Sequence, residues 1–333
     1  MHWQPSASLA TLRHRARLLG TTRDFFDRQG MLEVETPALV EHAVTDPHLR
    51  NIGAQLGNGR RLFLHTSPEF HMKRLLAAGA PDIWQLCKVF RDGEAGRHHE
   101  PEFTLLEWYR RGFSLEQLAR ETCALLLTLA QAAEDAGNAP VISAGQPVWW
   151  TFAALFQAAL GVDPLTARTD ELQDRASRLL GADAVAELRA SLGDEPSLWL
   201  DLLMSHAVSQ HLAGTGIAVV TGYPAAQAAL ARLDPADARV AERFEIFCRG
   251  IEVANGYREL ADAREQAQRF AADRDFRTRL GRPDVAPDHR LLVALQHGLP
   301  DCSGVAVGFD RVVMILLGLT SLQEAISFPV LET

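Results

Sequence analysis

Two apolar stretches, residues 82–91 and 103–110, flank a polar loop from Asp92 to Glu102, and this pairing constrains the fold more than any other part of the chain. Side chains alternate along a strand, so Phe103, Leu105, Glu107 and Tyr109 share one face. Near the other end, Gly304-Val305-Ala306-Val307-Gly308 runs into Phe309-Asp310-Arg311-Val312-Val313-Met314, a strand passing into a helix. Each segment sets an arginine, Arg91 or Arg311, at the edge of an apolar element, and more than 200 positions separate the two. A guanidinium is permanently charged and its planar fork matches phosphate oxygens. The two arginines therefore suggest one polyanionic ligand held from two sides.

The other elements complete an α+β pattern. Strands cluster at 32–110 and 217–308 with helices between, as expected for a mostly antiparallel sheet flanked by helices. Leu12, Ala16, Leu19 and Phe26 recur at helical spacing before Gly30, and Met31 to Pro37 alternates as a strand and stops at proline. Ser114 and Gln117 form a capping box for a helix reaching about Ala136. Short Ala/Leu-rich helices fill 151–213, Ile217 to Tyr223 is a strand closed by Pro224, and 243–260 is strand-rich. Helices at 262–280 and 288–297 precede the last strand, 303–308. The organisation expected is one domain over 1–333, with a helical insertion at about 114–212.

Net charge is −9, from 33 basic and 42 acidic side chains. A broad nucleic-acid surface would need a basic patch or stripe, and the densest basic stretch, Arg91 to Arg111, is interrupted by acids. No apolar run approaches the roughly 18 residues that span a bilayer. Met1-His2-Trp3-Gln4-Pro5 lacks the basic-then-apolar pattern of a signal peptide, so a cytoplasmic protein without membrane contact is expected. Cys87, Cys123, Cys248 and Cys302 are scattered, as free thiols in a reducing compartment would be.

Glu107 beside Tyr109 on an apolar strand face is poor core material, because burying either without a partner costs on the order of 1–3 kcal/mol. The pair fits either the floor of a polar pocket or a solvated sheet face. A second acidic group spans Glu245 and Gly250 to Leu260. Asn255, Tyr257 and Glu259 share strand parity while Glu252 lies on the other face, so convergence needs a kink or bulge, which Gly256 could supply. Asn255-Gly256 also fits an ordinary hairpin turn, and the residues alone favour the turn. Arg311 in the first turn of its helix opposes the macrodipole, and Gly308 would let a flat ring come close, which favours a phosphate ligand over a simple cap.

Taken in order, these segments resemble the three signature motifs of class II aminoacyl-tRNA synthetases. Gly30 to Pro37 resembles motif 1, which builds the dimer interface in that class. Phe90-Arg91 through Phe103 resembles motif 2, and Gly308-Phe309-Asp310-Arg311 resembles motif 3. Between them, His65-Thr66-Ser67-Pro68-Glu69, Leu106-Glu107-Trp108-Tyr109 and Asn255-Gly256-Tyr257-Arg258-Glu259-Leu260 resemble the lysyl-specific branch. Lysyl-tRNA synthetases carry an anticodon-binding barrel before motif 1. Here motif 1 begins near residue 12, and the chain resembles the elongation factor P–(R)-β-lysine ligase family along nearly its whole length.

That resemblance implies a homodimer that activates (R)-β-lysine with ATP and transfers it to a lysine side chain of elongation factor P, with tRNA not an expected partner. It also implies residue roles. Arg91 would hold the α-phosphate, Arg311 the γ-phosphate, and Phe103 would stack on adenine. Asp92, Gly93, Glu94, His99, Glu100, Glu252, Val253 and Gly308 would complete the ATP site, and Glu245 with Glu252 would hold Mg²⁺. Ser67, Pro68, Glu69, Glu107, Tyr109, Asn255, Tyr257, Glu259 and Ala306 would line the amino-acid site, where a diamine needs separated acidic groups.

Three positions depart from the family pattern. Motif 2 usually has Glu two places after its arginine, where this chain has Gly93, with the acid at Glu94. Glu100 replaces an amide that touches ATP, and a carboxylate near phosphates would be unfavourable. Ala306 stands where lysyl-tRNA synthetases have glycine, and its methyl would disfavour an α-amino group while tolerating a β-amino one. The alternatives are a truncated lysyl-tRNA synthetase, a non-catalytic paralogue, and a small-molecule amide synthetase on a similar core.

Overall fold

A computed structural model describes residues 3–139, 141–142 and 145–330. Met1 and His2, which open the N-terminal stretch considered above, lie outside them. The chain forms two compact units: Met1–Val141 with Glu259–Thr333, and Ile142–Arg258. The first unit begins with α1 (Leu9–Asp27), β1 (Leu32–Glu33), β2 (Leu39–Val40), β3 (Gly53–Gln55), β4 (Arg61–Leu64), α2 (Glu69–Ala77), β5 (Ile83–Phe90), β6 (Glu102–Arg111) and α3 (Leu115–Glu134). The second holds β7 (Val148–Thr151), α4 (Phe152–Leu160), α5 (Thr169–Leu180), α6 (Ala182–Leu192), α7 (Pro196–Leu203), α8 (Ser209–His211), β8 (Ile217–Pro224), β9 (Val240–Cys248) and β10 (Ile251–Arg258). The chain then returns to the first unit with α9 (Ala263–Arg279), α10 (His289–Gly298), β11 (Cys302–Gly308) and α11 (Phe309–Leu316). Among the described residues, no helix is long and apolar enough to cross a membrane.

In the first unit the strands run in the order β1-β5-β6-β11, antiparallel except for β1 against β5. Tight alternation makes both faces of β6 apolar enough to bury, and Thr104 to Tyr109 are all buried. Phe26 of α1 stacks on Trp84 of β5 with centroids 4.8 Å apart and meets Trp108 of β6 edge-on at 5.2 Å, which fixes that helix against the sheet. Ser114 and Gln117 form the expected capping box at the start of α3. Among the described residues no disulfide joins the cysteines, and burial pushes the thiols of Cys87 and Cys123 up to about 12.

In the second unit the order is β10-β9-β8-β7, with β7 parallel to β8. Phe152 and Phe156 of α4 stack at 4.4 Å, and Phe152 lies 4.7 Å from Tyr223 of β8, within an apolar core that also takes in Trp199 and Leu203 of α7. The helix-rich stretch 114–212 is divided: α3 belongs to the first unit, and α4 to α8 to the second.

Two sequence expectations are corrected. The strand expected over Met31–Pro37 is regular only at Leu32–Glu33, an edge position with one partner strand, although the Val34 N–H still donates to the Trp84 carbonyl at 2.9 Å. The hairpin turn is not at Asn255-Gly256, because Gly256 sits inside β10 opposite Phe244. It falls at Arg249-Gly250, with φ of 53° and 79°. A side chain at Gly250 would be strained by that φ and would come within 2.6 Å of the Ser209 carbonyl.

Arg15 braces the first unit: Nη1 lies 2.6 Å from Asp310 Oδ1, and Nη2 donates to Thr104 Oγ1 at 2.9 Å. Asp310 is 1% exposed and also accepts from the Thr104 N–H at 2.7 Å. Arg15→Ala strands that carboxylate, so urea unfolding should show a loss of about 3–5 kcal/mol. Arg120→Ala, which removes an exposed pair with Glu116, should stay within about 0.5 kcal/mol.

Candidate functional site

Three carboxylates meet in the first unit, one from each of three segments. Glu69 opens α2, Glu107 lies in β6, and Glu259 is the residue at which the chain re-enters the unit. Ser67 Oγ accepts from the Glu69 N–H at 3.4 Å, and Pro68 occupies the N-cap of α2, so the Ser67-Pro68-Glu69 run sets the start of that helix. Glu107 and Tyr109 share a face, as the alternation requires, and both are buried, which removes the solvated-face reading. The Tyr109 hydroxyl donates to Glu107 Oε1 at 2.8 Å, while the buried Glu107 Oε2 has no hydrogen-bond partner.

The register of β11 on β6 puts Gly304 opposite Tyr109 and Ala306 opposite Glu107, on the same face. Gly304 is required there, since a Cβ would overlap the Tyr109 ring and come within 2.6 Å of Glu259 Oε1. Burial pushes the Glu259 carboxyl up to about 7, Lys73 pulls it down, Glu69 pushes it up again, and the hydrogen bond from the bare Gly304 backbone opposes the rise.

Lys73, not anticipated from sequence, is 2% exposed and sits 2.6 Å from Glu69 Oε1 and 2.5 Å from Glu259 Oε2. Its signal was present, an acid and a lysine at i,i+4 on one helix face directly after the Ser67-Pro68-Glu69 run. Burial alone would lower its pKa, but Glu259 and Glu69 outweigh burial and hold the ammonium well above the usual lysine range. Gln85 of β5, opposite Glu107 and also buried, was likewise missed.

The motif 2 arginine and its loop lie in the same unit. Arg91 follows β5, its guanidinium sits 5.0 Å from the centre of the Phe103 ring, and its Nε donates to the Thr66 carbonyl at 3.5 Å. Glu94 lies 3.6 Å from Arg91, so the acid displaced by one position still reaches the arginine. Gly93 has φ of 76°, the left-handed region that favours glycine, and the Asp92 N–H donates to the Arg50 carbonyl at 3.0 Å. Arg311, in the first turn of α11, donates through Nε to the His98 carbonyl at 3.1 Å, and its Nη2 lies 2.7 Å from His99 Nε2. A Cβ at Gly308 would meet the Arg311 side chain in ordinary contact at 3.7 Å, so no backbone crowds that glycine within the nearest contacts. Glu100 is 2% exposed, and its carboxylate accepts from Gln323 Nε2 at 2.7 Å and from the Val330 N–H at 3.3 Å.

In the second unit, the bulge falls between Glu252 and Ala254, at the buried Val253, and not at Gly256. It sets Glu252 opposite Phe247 and Asn255 opposite Glu245, so Glu252, Asn255, Tyr257, Glu245 and Arg243 all share a face. Glu245 accepts from the Tyr223 hydroxyl and from Arg243 Nη2, both at 2.6 Å, and the buried Asn255 Oδ1 has no hydrogen-bond partner. Burial pushes the Glu245 carboxyl up to about 7; Arg243 pulls it down, and the nearby charge of Glu252 pushes it up again. Among the described residues no three His, Cys, Asp or Glu side chains cluster as a metal site. The donor set that could accept a divalent ion is this pair of hard carboxylates, whose mutual repulsion a cation would relieve.

Burial pushes the Glu107 carboxyl up to about 8, with Glu69's charge adding to the shift and the Tyr109 hydrogen bond opposing it. A carboxyl whose folded pKa exceeds its ordinary value of 4.5 costs the fold nothing below that pH. The cost grows as pH rises and is complete above about 8. Glu107→Gln should therefore stabilise the protein more at pH 9 than at pH 5, read from urea midpoints. Equal increments at the two pH values would mean that Glu107 titrates normally.

Comparison with known proteins gives the family. The family of class II tRNA synthetases (D, K and N) matches residues 1–332. The chain is 44% identical over 333 residues to the elongation factor P–(R)-β-lysine ligase of Salmonella paratyphi B, covering 98% of this chain and 97% of the relative. The proteins of the same name from Salmonella schwarzengrund and Salmonella paratyphi C match equally, at 44% over the same shares. With the full length matched, the chain belongs to the class II (D, K and N) tRNA-synthetase family.

Proposed function

We propose that this protein is an ATP-dependent ligase that activates (R)-β-lysine as its adenylate and transfers it to a lysine side chain of elongation factor P. The observation that carries this reading is the set of Glu69, Glu107 and Glu259 around one internal cation, with Glu107 Oε2 buried and unpaired. Such a site holds more carboxylates than cations and suits a substrate bearing ammonium groups. Its relatives, matched along 97% of their length, carry the name of that activity.

In the first step a carboxylate oxygen of the amino acid attacks the α-phosphorus of ATP, forming a P–O bond as the bond to pyrophosphate breaks. Arg91 would hold the α-phosphate and Arg311 the γ-phosphate, stabilising the charge that develops. Phe103, now beneath the Arg91 guanidinium, would stack on adenine, with Asp92, Gly93, Glu94, His99 and Gly308 around the nucleotide. In the second step the neutral amine of the acceptor lysine attacks the acyl carbonyl and AMP leaves. Glu69, Glu107, Tyr109 and Glu259 would bind the amino acid. Glu245 and Glu252 would hold Mg²⁺, a hard cation that would supply neutralising charge when bound.

Support against a non-catalytic paralogue comes from the two departures in motif 2: Glu94 reaches Arg91 despite the shift, and Glu100 is satisfied inside the protein. A net charge of −9 fits a protein acceptor better than tRNA. The working form would be a cytoplasmic homodimer joined through the segment around Leu32, which is 49% exposed.

Intact-mass spectrometry of elongation factor P incubated with this protein, Mg-ATP and (R)-β-lysine should show one added lysyl unit that requires ATP. Arg311→Ala should slow that gain by roughly 10²–10³-fold. Charged tRNA with unmodified elongation factor P would overturn the reading in favour of a synthetase. Ala306→Gly should move the ratio of kcat/KM for (R)-β-lysine over α-lysine toward α-lysine by about 10–200-fold, because one methyl opposite Glu107 separates the two substrates.

A further inference from the structure

The C-terminal segment after α11 is bonded to the motif 2 loop at several points. The Leu322 N–H donates to the Arg97 carbonyl at 2.8 Å. Gln323 Nε2 donates both to the Gly96 carbonyl at 3.1 Å and to Glu100 Oε1 at 2.7 Å, and the Val330 N–H donates to Glu100 Oε2 at 3.3 Å. The segment is itself tied down from elsewhere in the unit. The Ser6 and Ala7 N–H groups donate to the Ser327 and Ile326 carbonyls at 2.8 and 3.2 Å, and Arg15 Nη1 donates to the Ala325 carbonyl at 3.3 Å. The loop it holds, residues 96–100, forms an isolated bridge between Gly96 and His99, and His98 and His99 face Arg311.

We infer that residues 322–330 form a strap that positions the ATP loop, with Gln323 and Glu100 as its clasp. Glu100 is then a positioning residue acting through the loop, and the amide-to-carboxylate change at that position serves the strap rather than the nucleotide. The chemistry is direct. A buried carboxylate needs donors, and Gln323 and Val330 supply them from a segment anchored independently of the loop. The loop residues that face Arg311 are thereby held before ATP arrives, which lowers the ordering cost of binding.

This inference rests on the reading that the loop binds ATP, so its test separates the two. ATP binding to the whole protein would be measured by calorimetry, together with hydrogen exchange at the amides of 96–100, for wild type, Gln323→Ala and Gln323→Glu. The glutamate variant keeps the side-chain volume and replaces the donor with a carboxylate facing Glu100, so lost packing does not account for its effect. Both variants should bind ATP about tenfold more weakly, exchange the loop amides faster, and leave KM for the amino acid unchanged. Wild type that binds ATP, with both variants binding it equally well, overturns the strap alone. Equal losses for ATP and the amino acid, with a lowered Tm, also overturn it by marking Gln323 as merely structural. Wild type without affinity for ATP overturns the functional reading and the inference together.

Discussion

A buried ammonium between two carboxylates sets the terms for the first unit. Lys73 bridges α2 to the point where the chain re-enters the unit at Glu259, with contacts of 2.6 and 2.5 Å. An ion pair this deeply buried seldom stabilises a fold more than apolar residues of the same volume would, because desolvating two charges is costly. Its value lies in what it permits nearby. Three carboxylates packed together without a cation would take up protons. With Lys73 in place, Glu69 and Glu259 have an opposite charge at contact distance, and the third acid, Glu107, is pushed up to about 8, first by burial and then by the charge of Glu69. The site is preset to gain from an incoming cation.

That electrostatic arrangement depends on backbone geometry. Gly304 and Ala306 share the face of Glu107 and Tyr109 only because β11 pairs with β6 in the observed register, and a one-residue slip of β11 would turn both to the opposite face. Gly304 gives the register a second function. Its bare backbone leaves room for both the Tyr109 ring and the Glu259 carboxylate, so the same position that fixes pairing also shapes the acidic group. The Phe26, Trp84 and Trp108 cluster holds β5 and β6 against α1 at the side chains that alternate with Glu107 and Tyr109. Packing and chemistry are thus separated onto the two faces of one strand.

What was legible in the sequence follows the range of the interactions involved. The β5–β6 pair, the capping box at Ser114 and the strand-to-helix passage into Arg311 are written in local periodicity and in side chains three residues apart, so they could be read directly. Lys73 is readable as a helix-face partner of Glu69 from their spacing, but its second partner, Glu259, is too distant in sequence to be read. The bulge at Val253 was not readable, because nothing in a valine marks an extra residue in a ladder; only the partner strand reveals it. The turn reading at Asn255-Gly256 failed for the same reason, since the pairing of β9 and β10 overrides the local preference of that dipeptide. Glu100 was legible as an anomaly and not as a contact, because its partner Gln323 lies 223 residues away.

The two departures in motif 2 show why a loop tolerates what a strand does not. In β6 a displaced acid would change faces and leave the pocket. In the loop, Gly93 adopts a φ of 76° that re-aims the chain, and the acid one position late returns to within 3.6 Å of Arg91. Glu100 meets the same problem by another route. A carboxylate is a poor neighbour for phosphate, but a buried carboxylate with two fixed donors is a good anchor for a loop that must hold a shape. Both substitutions move negative charge onto partners within the protein. Arg91 and Arg311, the groups the phosphate chemistry needs, stay where β5 and α11 set them.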